Sequence, residues 1–142
     1  MNTREFGKLG EDSAAMYLRK HGYRIIGQNV YVGHREVDII AENEDYIVFA
    51  EVKTRRQLPD SNNPFGTPGE AVNSRKRSLL VSAAEEYLYS NPTDKSPRID
   101  VIEVYVSPVS AEYKVEDIRH YENAVKKVGK FSRTLKNTAE KI

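Results

Sequence analysis

Four charged side chains stand in two segments otherwise built largely from Val, Ile, Phe, Ala and Tyr: Glu36 and Asp38 in EVDIIA, and Glu51 and Lys53 in YIVFAEVK. A charge placed in a sheet is costly unless something pairs with it. Both segments have the composition of strands, and the polar NED group between them marks a hairpin. Side chains alternate across a strand, so Glu51 and Lys53 share a face with Ile47 and Phe49, and Asp38 shares one with Glu36 and Ile40. If Glu44 and Asp45 are the central turn residues, Asn43 opposes Tyr46 and Asp38 opposes Glu51. A turn at Asn43-Glu44 makes the two acids diagonal neighbours on one face, and a three-residue loop or a bulge separates them.

Directly opposed Cβ atoms lie about 4.5–5.5 Å apart, where like charges repel. A divalent cation relieves that repulsion. Mg²⁺ takes one or two protein carboxylates and completes its octahedron with water and phosphate oxygens. Lys53 reaches the same place, where an ammonium can position an attacking water or steady a phosphate oxygen. Two acids and a lysine on one sheet edge describe metal-assisted phosphodiester chemistry. E-x-K is also an ordinary structural pair, so a solvated face, a buried ion pair and a site all stay open on these residues alone.

The neighbouring elements decide what else reaches that edge. Residues 3–21 read as a helix with Glu11, Ala14, Ala15 and Leu18 on one face, stopped by His21-Gly22. YRIIGQNVYV (23–32) reads as a strand and Gly33-His34-Arg35 as a turn. TRRQLPDSNNPFGTP (54–68) reads as a long loop. A second helix runs from Asn73 or Ser74 to Tyr89, with Leu80, Ala83, Ala84, Tyr87 and Leu88 as its stripe and Lys76 one turn before Leu80. RIDVIEVYV (98–106) is a further strand, and YKV with DIRHY (113–121) suggests short strands at the sheet edge. The order is that of one mixed α/β domain, with Glu11 and Lys76 aimed inward from the two helices.

A chain of 142 residues fits one domain, and no apolar run approaches the roughly 18 residues of a membrane span. The first residues lack the apolar core of a signal peptide, and there are no cysteines for disulfides or thiolate metal sites; a cytoplasmic location is the expectation. Net charge is +1, but residues 124–142 carry six basic residues against Glu140, leaving −4 for the rest. Such a tail suits a polyanion by counterion release, or simply solubilises the terminus. His21, His34 and His120 lack zinc spacing and read as surface or capping residues. No glycine-rich phosphate loop and no nucleophile elbow is present.

EVDII…VFAEVKTR resembles the D…(D/E)-x-K core of the restriction-endonuclease-like superfamily, PD-(D/E)xK, which includes Holliday-junction resolvases and RecB-type nuclease domains. More closely, GKLGEDSAAMYLRKHGY, NV, EVDII, VFAEVKTR, PFGTPGEAV, RIDVI and IRHYENAV together resemble the YraN-like family of predicted endonucleases. The resemblance implies an α/β fold: a restriction-endonuclease-like mixed central β-sheet flanked by helices, in one domain over residues 1–123, followed by a basic extension, 124–142. It implies Asp38 and Glu51 as metal ligands, Lys53 as catalytic lysine, Glu11 as a helical ligand, Glu36 as an accessory acid and Mg²⁺ or Mn²⁺ as cofactor. Arg55, Arg56 and Lys76 would grip a DNA backbone, on branched or recombination intermediates, and Thr54 is a further phosphate contact. Arg35 departs from the family pattern, which has glycine there, and would alter the turn or add a phosphate contact; residues 126–142 extend beyond the usual end. The alternatives are a non-catalytic nucleic-acid-binding or scaffold protein that kept the fold, and an interaction protein whose charges form a buried network. No membrane association is expected, and oligomeric state is not legible.

Overall fold

The computed structural model describes residues 2–56, 74–109 and 112–125. Helix α1 (Thr3–Lys20) starts at Asn2, whose side chain accepts from the Glu5 N–H while the Glu5 carboxylate accepts from the Asn2 N–H. This reciprocal cap satisfies two donors that the first turn would otherwise leave open. The helix stops at His21, and Gly22 follows at φ +89°, a left-handed conformation that glycine adopts at no steric cost.

Three strands then form an antiparallel meander: β1 (Arg24–Val32), β2 (Arg35–Glu42) and β3 (Tyr46–Arg55). The second turn has Glu44 and Asp45 at its centre. Asn43 donates its N–H to the Tyr46 carbonyl at 3.0 Å, and its side chain accepts from the N–H groups of Asp45 and Tyr46. Helix α2 (Ser74–Ser90) leads to β4 (Ser96–Val109), which lies parallel to β3, and β5 (Glu112–Tyr121) pairs antiparallel with β4. The five strands lie in sequence order in one mixed sheet, with α1 and α2 against it, as the sequence leads one to expect.

Two expectations change. Thr54 and Arg55 were assigned to a loop but continue β3, because β4 runs beside them and pairs Thr54 with Val104 and Arg55 with Tyr105. Residues 57–68 of that expected loop lie outside the described residues, as does the tail beyond Val125. YKV and DIRHY are one ten-residue strand, not two short ones, since a bulge at the Tyr105/Val106 step absorbs the shift in register.

The sheet separates two cores. Phe6, Ala14, Ala15 and Leu18 of α1 pack on Ile39, Ala41, Val48, Ala50, Val52, Ile102 and Val104. Leu80, Ala83, Ala84 and Leu88 of α2 pack on Ile40, Ile47, Phe49, Ile99 and Val101. Small residues at 14, 15, 83 and 84 let each helix lie close to the sheet. Gly10 allows a close approach too, since a Cβ there would stand 1.8 Å from Thr54 Oγ1 and 2.8 Å from Thr54 Cβ.

On the α1 side, Asp100 is fully buried and accepts from both Arg98 Nε (2.9 Å) and Arg98 Nη2 (2.8 Å), and from the Asn123 N–H (2.9 Å). His120 Nε2 lies 2.6 Å from the same carboxylate, and its side chain is 6% exposed. His120 is therefore not the surface residue expected: β5 carries it beside Ile102, over a buried acid. Burial alone would push the Asp100 carboxyl up, but the bonds from His120 and Arg98 and the Arg98 charge together hold it below the ordinary value.

Gly10→Ala is expected to cost about 1–3 kcal/mol in urea unfolding, because the helix must lift off β3. Adding Thr54→Ala removes the nearest atom but leaves its Cβ, so rescue is expected to be partial.

Candidate active site

In β2 the alternation of faces is broken at one residue. Ile39 and Ala41 belong to the α1-side core and Ile40 to the α2-side core, yet Val37 packs on the α2 side as well. The paired strand does the same: Gln28, opposite Ile39, hydrogen-bonds Asp12 of α1 at 3.1 Å, whereas Val30, opposite Val37, packs on the α2 side. The switch falls at Asn29 and Asp38, which face one another in that frame. Asn29 has φ +51°, a left-handed conformation that few side chains other than Asn and Asp accept.

The switch turns Glu36 and Asn29 toward α1. The Asn29 amide donates to Glu11 Oε2 at 2.8 Å and to Glu36 Oε1 at 2.9 Å. One uncharged NH₂ group thus holds two carboxylates. Glu11, Glu36 and Asp38 each offer an oxygen within 4.8 Å of the other two. Glu11 arrives there because the glycine before it lets α1 press against Thr54.

Asp38 sits where two strands part. The β2–β3 pairs run from Glu42↔Ile47 to Ile39↔Ala50, the frame in which Asp38 opposes Glu51. Beyond that pair the Val52 N–H goes to Asp38 Oδ2, at 2.8 Å. A side chain takes the place of a backbone acceptor, and the acid is wedged into the fork. Burial, with the charge of Glu51 next and that of Glu11 adding to it, pushes the Asp38 carboxyl up to about 7; the Val52 bond and the Lys76 charge only partly offset this.

Glu51 is buried on the α2 side. Its Oε1 is paired with Lys76 Nζ and lies 3.4 Å from Lys53 Nζ. Burial and the adjacent Lys76 ammonium pull the Lys53 pKa down, against the opposing pull of Glu51. Lys76 moves the other way: burial would lower its pKa, but Glu51 and Asp38 favour its charged form and raise it. Fully ionised, the four acids outweigh the two ammonium groups by two charges. The arrangement is a hard, oxygen-rich site with a cation deficit.

The residues expected at the site are thus divided. Glu11, Glu36 and Asp38 come together; Glu51 adjoins Asp38 but is engaged by Lys53 and Lys76. Of the residues expected to grip a backbone, Arg55 donates from Nε to buried Glu103 at 2.8 Å. Exposed Arg56 stacks over the Phe6 ring at 4.3 Å and donates to the Tyr113 hydroxyl at 2.7 Å. Thr54 packs under Gly10. Arg35, expected to alter the turn or contact phosphate, pairs with Glu86 of α2.

The model of the uncharacterised protein family UPF0102 matches residues 10–104, which includes Glu11, Asn29, Glu36, Asp38, Glu51, Lys53 and Lys76. The chain belongs to this family. A UPF0102 protein of Caldanaerobacter subterraneus subsp. tengcongensis is 39% identical over 125 residues, 87% of this chain and 97% of that relative. One from Alkaliphilus oremlandii is 43% identical over 125 residues, 86% and 98% of the two chains. A UPF0102 protein of Flavobacterium psychrophilum is 41% identical over 120 residues, 84% of this chain and 92% of the relative. Within this UPF0102 chain, the residue that sequence reasoning missed is Asn29. It lay in the quoted NV pair without a role, and an Asn inside a strand-like run is the signal that marks a left-handed position.

Two outcomes are expected. Asn29→Gly keeps the backbone conformation and loses only the clamp, costing about 1 kcal/mol, whereas Asn29→Val adds a steric penalty and costs several times more by urea unfolding. For Asp38 the folded pKa lies above the unfolded one, so wild-type stability contributed by this group falls as pH rises from about 4 through about 7. Asp38→Asn, without metal, is expected to gain about 1–3 kcal/mol at pH 8, to gain little at pH 4, and to flatten that slope.

Proposed function

We propose that this chain is a metal-dependent nuclease that hydrolyses DNA phosphodiester bonds, acting on branched or otherwise structured DNA. The observation that carries this reading is the wedging of Asp38 into the β2–β3 fork, between Glu11 and Glu36 on one side and Glu51, Lys53 and Lys76 on the other. A purely structural ion pair would match its charges, whereas here three acids crowd within 4.8 Å and one is raised to about 7. The resemblance to the PD-(D/E)xK core supports the same assignment of Asp38, Glu51 and Lys53.

The donor set fits Mg²⁺ or Mn²⁺, which favour carboxylate oxygens, and Glu11, Asp38 and Glu51 would hold the ion with Glu36 beside them. When bound, such an ion supplies Lewis acidity for the phosphate and a lowered pKa for a coordinated water. The chain's own groups do the remaining work. Asp38, ionised, balances the cation and keeps its second contact to the Val52 N–H, so its position is fixed by β3. Lys53, at the open end of β3 with its pKa depressed, donates a hydrogen bond to the attacking water or a phosphate oxygen. Lys76 leaves Glu51 for the phosphate or stays to share its charge. Asn29 keeps Glu11 and Glu36 oriented without contributing charge of its own.

One observation favours a second reading. Glu51 is buried and satisfied by two lysines, as a structural network requires. In that case Glu51→Gln costs several kcal/mol by unpairing buried charge, and divalent ions change nothing.

The purified protein is to be incubated with linear, single-stranded and four-way-junction DNA, with Mg²⁺, Mn²⁺ or EDTA. Ion-dependent cleavage is expected, lost by at least 10²-fold in Asp38→Ala and Lys53→Ala. Cleavage that survives both substitutions, or no cleavage of any substrate, sinks the reading.

A further inference from the structure

A groove of about 650 Å³ opens beside the acidic cluster, lined by Thr3, Arg4, Gly7, Lys8 and Glu11 of α1 and by Asn29, Tyr31 and Glu36 of the β1–β2 hairpin. Arg4, Gly7, Lys8 and Glu11 follow one another at helical spacing, so they form a single stripe along one wall. The stripe runs from cationic to anionic. Arg4 and Lys8 stand at one end and Glu11, beside Glu36 and Asp38, at the other. Across the groove Tyr31 is 67% exposed, unusual for so large a ring in a strand. Tyr31 is the register partner of Glu36 between β1 and β2, which sets the ring beside the acidic cluster, and the Glu36 carboxylate pushes its hydroxyl pKa up. The face switch at Asn29 is what brings Tyr31 and Glu36 to this side.

We infer that this groove seats a single DNA strand, with its phosphates on Arg4 and Lys8, a base stacked on Tyr31, and the strand directed toward the acidic cluster. The inference rests on the nuclease reading for why a strand should lead there, and it adds where the strand lies. Charge and shape both select the occupant. A volume of 650 Å³ falls in the range of clefts for small ligands, so it takes a short run of one strand and not a duplex. Every base offers a π-face to an exposed ring, which makes such seating tolerant of sequence. Lys8 pairs with Asp12 at 3.3 Å, an exposed pair whose exchange for a phosphate costs little. At Gly7 an added Cβ would meet nothing within 4 Å, so a side chain can be added to that wall without disturbing the fold.

Binding of fluorescein-labelled oligothymidylate to the full-length protein is to be measured by anisotropy in EDTA across a salt series. Tyr31→Ala is expected to weaken binding about tenfold. Arg4→Gln with Lys8→Gln is expected to lower the salt slope by about 1–1.5 and Gly7→Leu to block binding, with melting temperatures retained. Duplex of the same length is expected to compete poorly. Affinity within twofold of wild type in all three variants, or no binding of single strand by the wild type, overturns the inference. The same proteins are to be assayed for cleavage with Mg²⁺ and Mn²⁺. Cleavage that requires Asp38 while the groove variants bind normally overturns the groove and leaves the nuclease reading standing. Variant-sensitive binding without cleavage overturns the nuclease reading and supports the groove.

Discussion

The site depends on one backbone event, the change of face that β1 and β2 make together at Asn29 and Asp38. Were the two strands to alternate regularly, Glu36 and Asp38 would share the α2 face with Ile40 and Phe49, away from Glu11 on α1. The left-handed residue rotates the outer part of the hairpin instead. Glu36 meets Glu11 from the opposite helix, and Asp38 is left in the plane of the sheet, reachable from both sides. An asparagine suits this position twice over: its backbone tolerates the conformation, and its amide bridges the acids that the rotation brings together.

The charges then set a balance between stability and readiness. Asp38 gives β3 a hydrogen-bond acceptor that the parting β2 cannot supply, which anchors the fork. The same burial disfavours its charge, and Glu51 and Glu11 add to that. Elsewhere the fold neutralises buried charge completely: Asp100 receives Arg98, His120 and the Asn123 N–H, and Glu103 receives Arg55 and the Tyr105 hydroxyl. Only the fork keeps acids in excess among the described residues. Asp100 is fully partnered, whereas Asp38 receives one backbone N–H and stands among acids that push its pKa up.

Much of this was legible in the sequence because the residues involved obey local rules. The Asn43–Tyr46 turn fixed the frame in which Asp38 faces Glu51, and helical spacing placed Glu11 and Lys76 on inward faces. What was not legible is what depends on neighbours in space. Strict alternation put Asp38, Glu36 and Ile40 on one face, and no propensity rule announces that a strand will switch. Arg98 and Asp100 were given no role, and His120 joins them only through the β4–β5 register. Thr54 looked like a loop residue until β4 appeared beside it. The family description, uncharacterised as it is, spans the very elements that build the fork.

Two ion pairs tie helix α2 to the sheet among the described residues. Glu86 holds Arg35 at the start of β2, next to the Gly33-His34 turn, and Lys76 holds Glu51 on β3. These anchors are ten residues apart, roughly 15 Å along a helix. The helix therefore acts as a rigid ruler between the hairpin tip and the end of the central strand. The hairpin that carries Glu36 and Tyr31 and the ammonium group at Glu51 are thus tied to opposite ends of one helix.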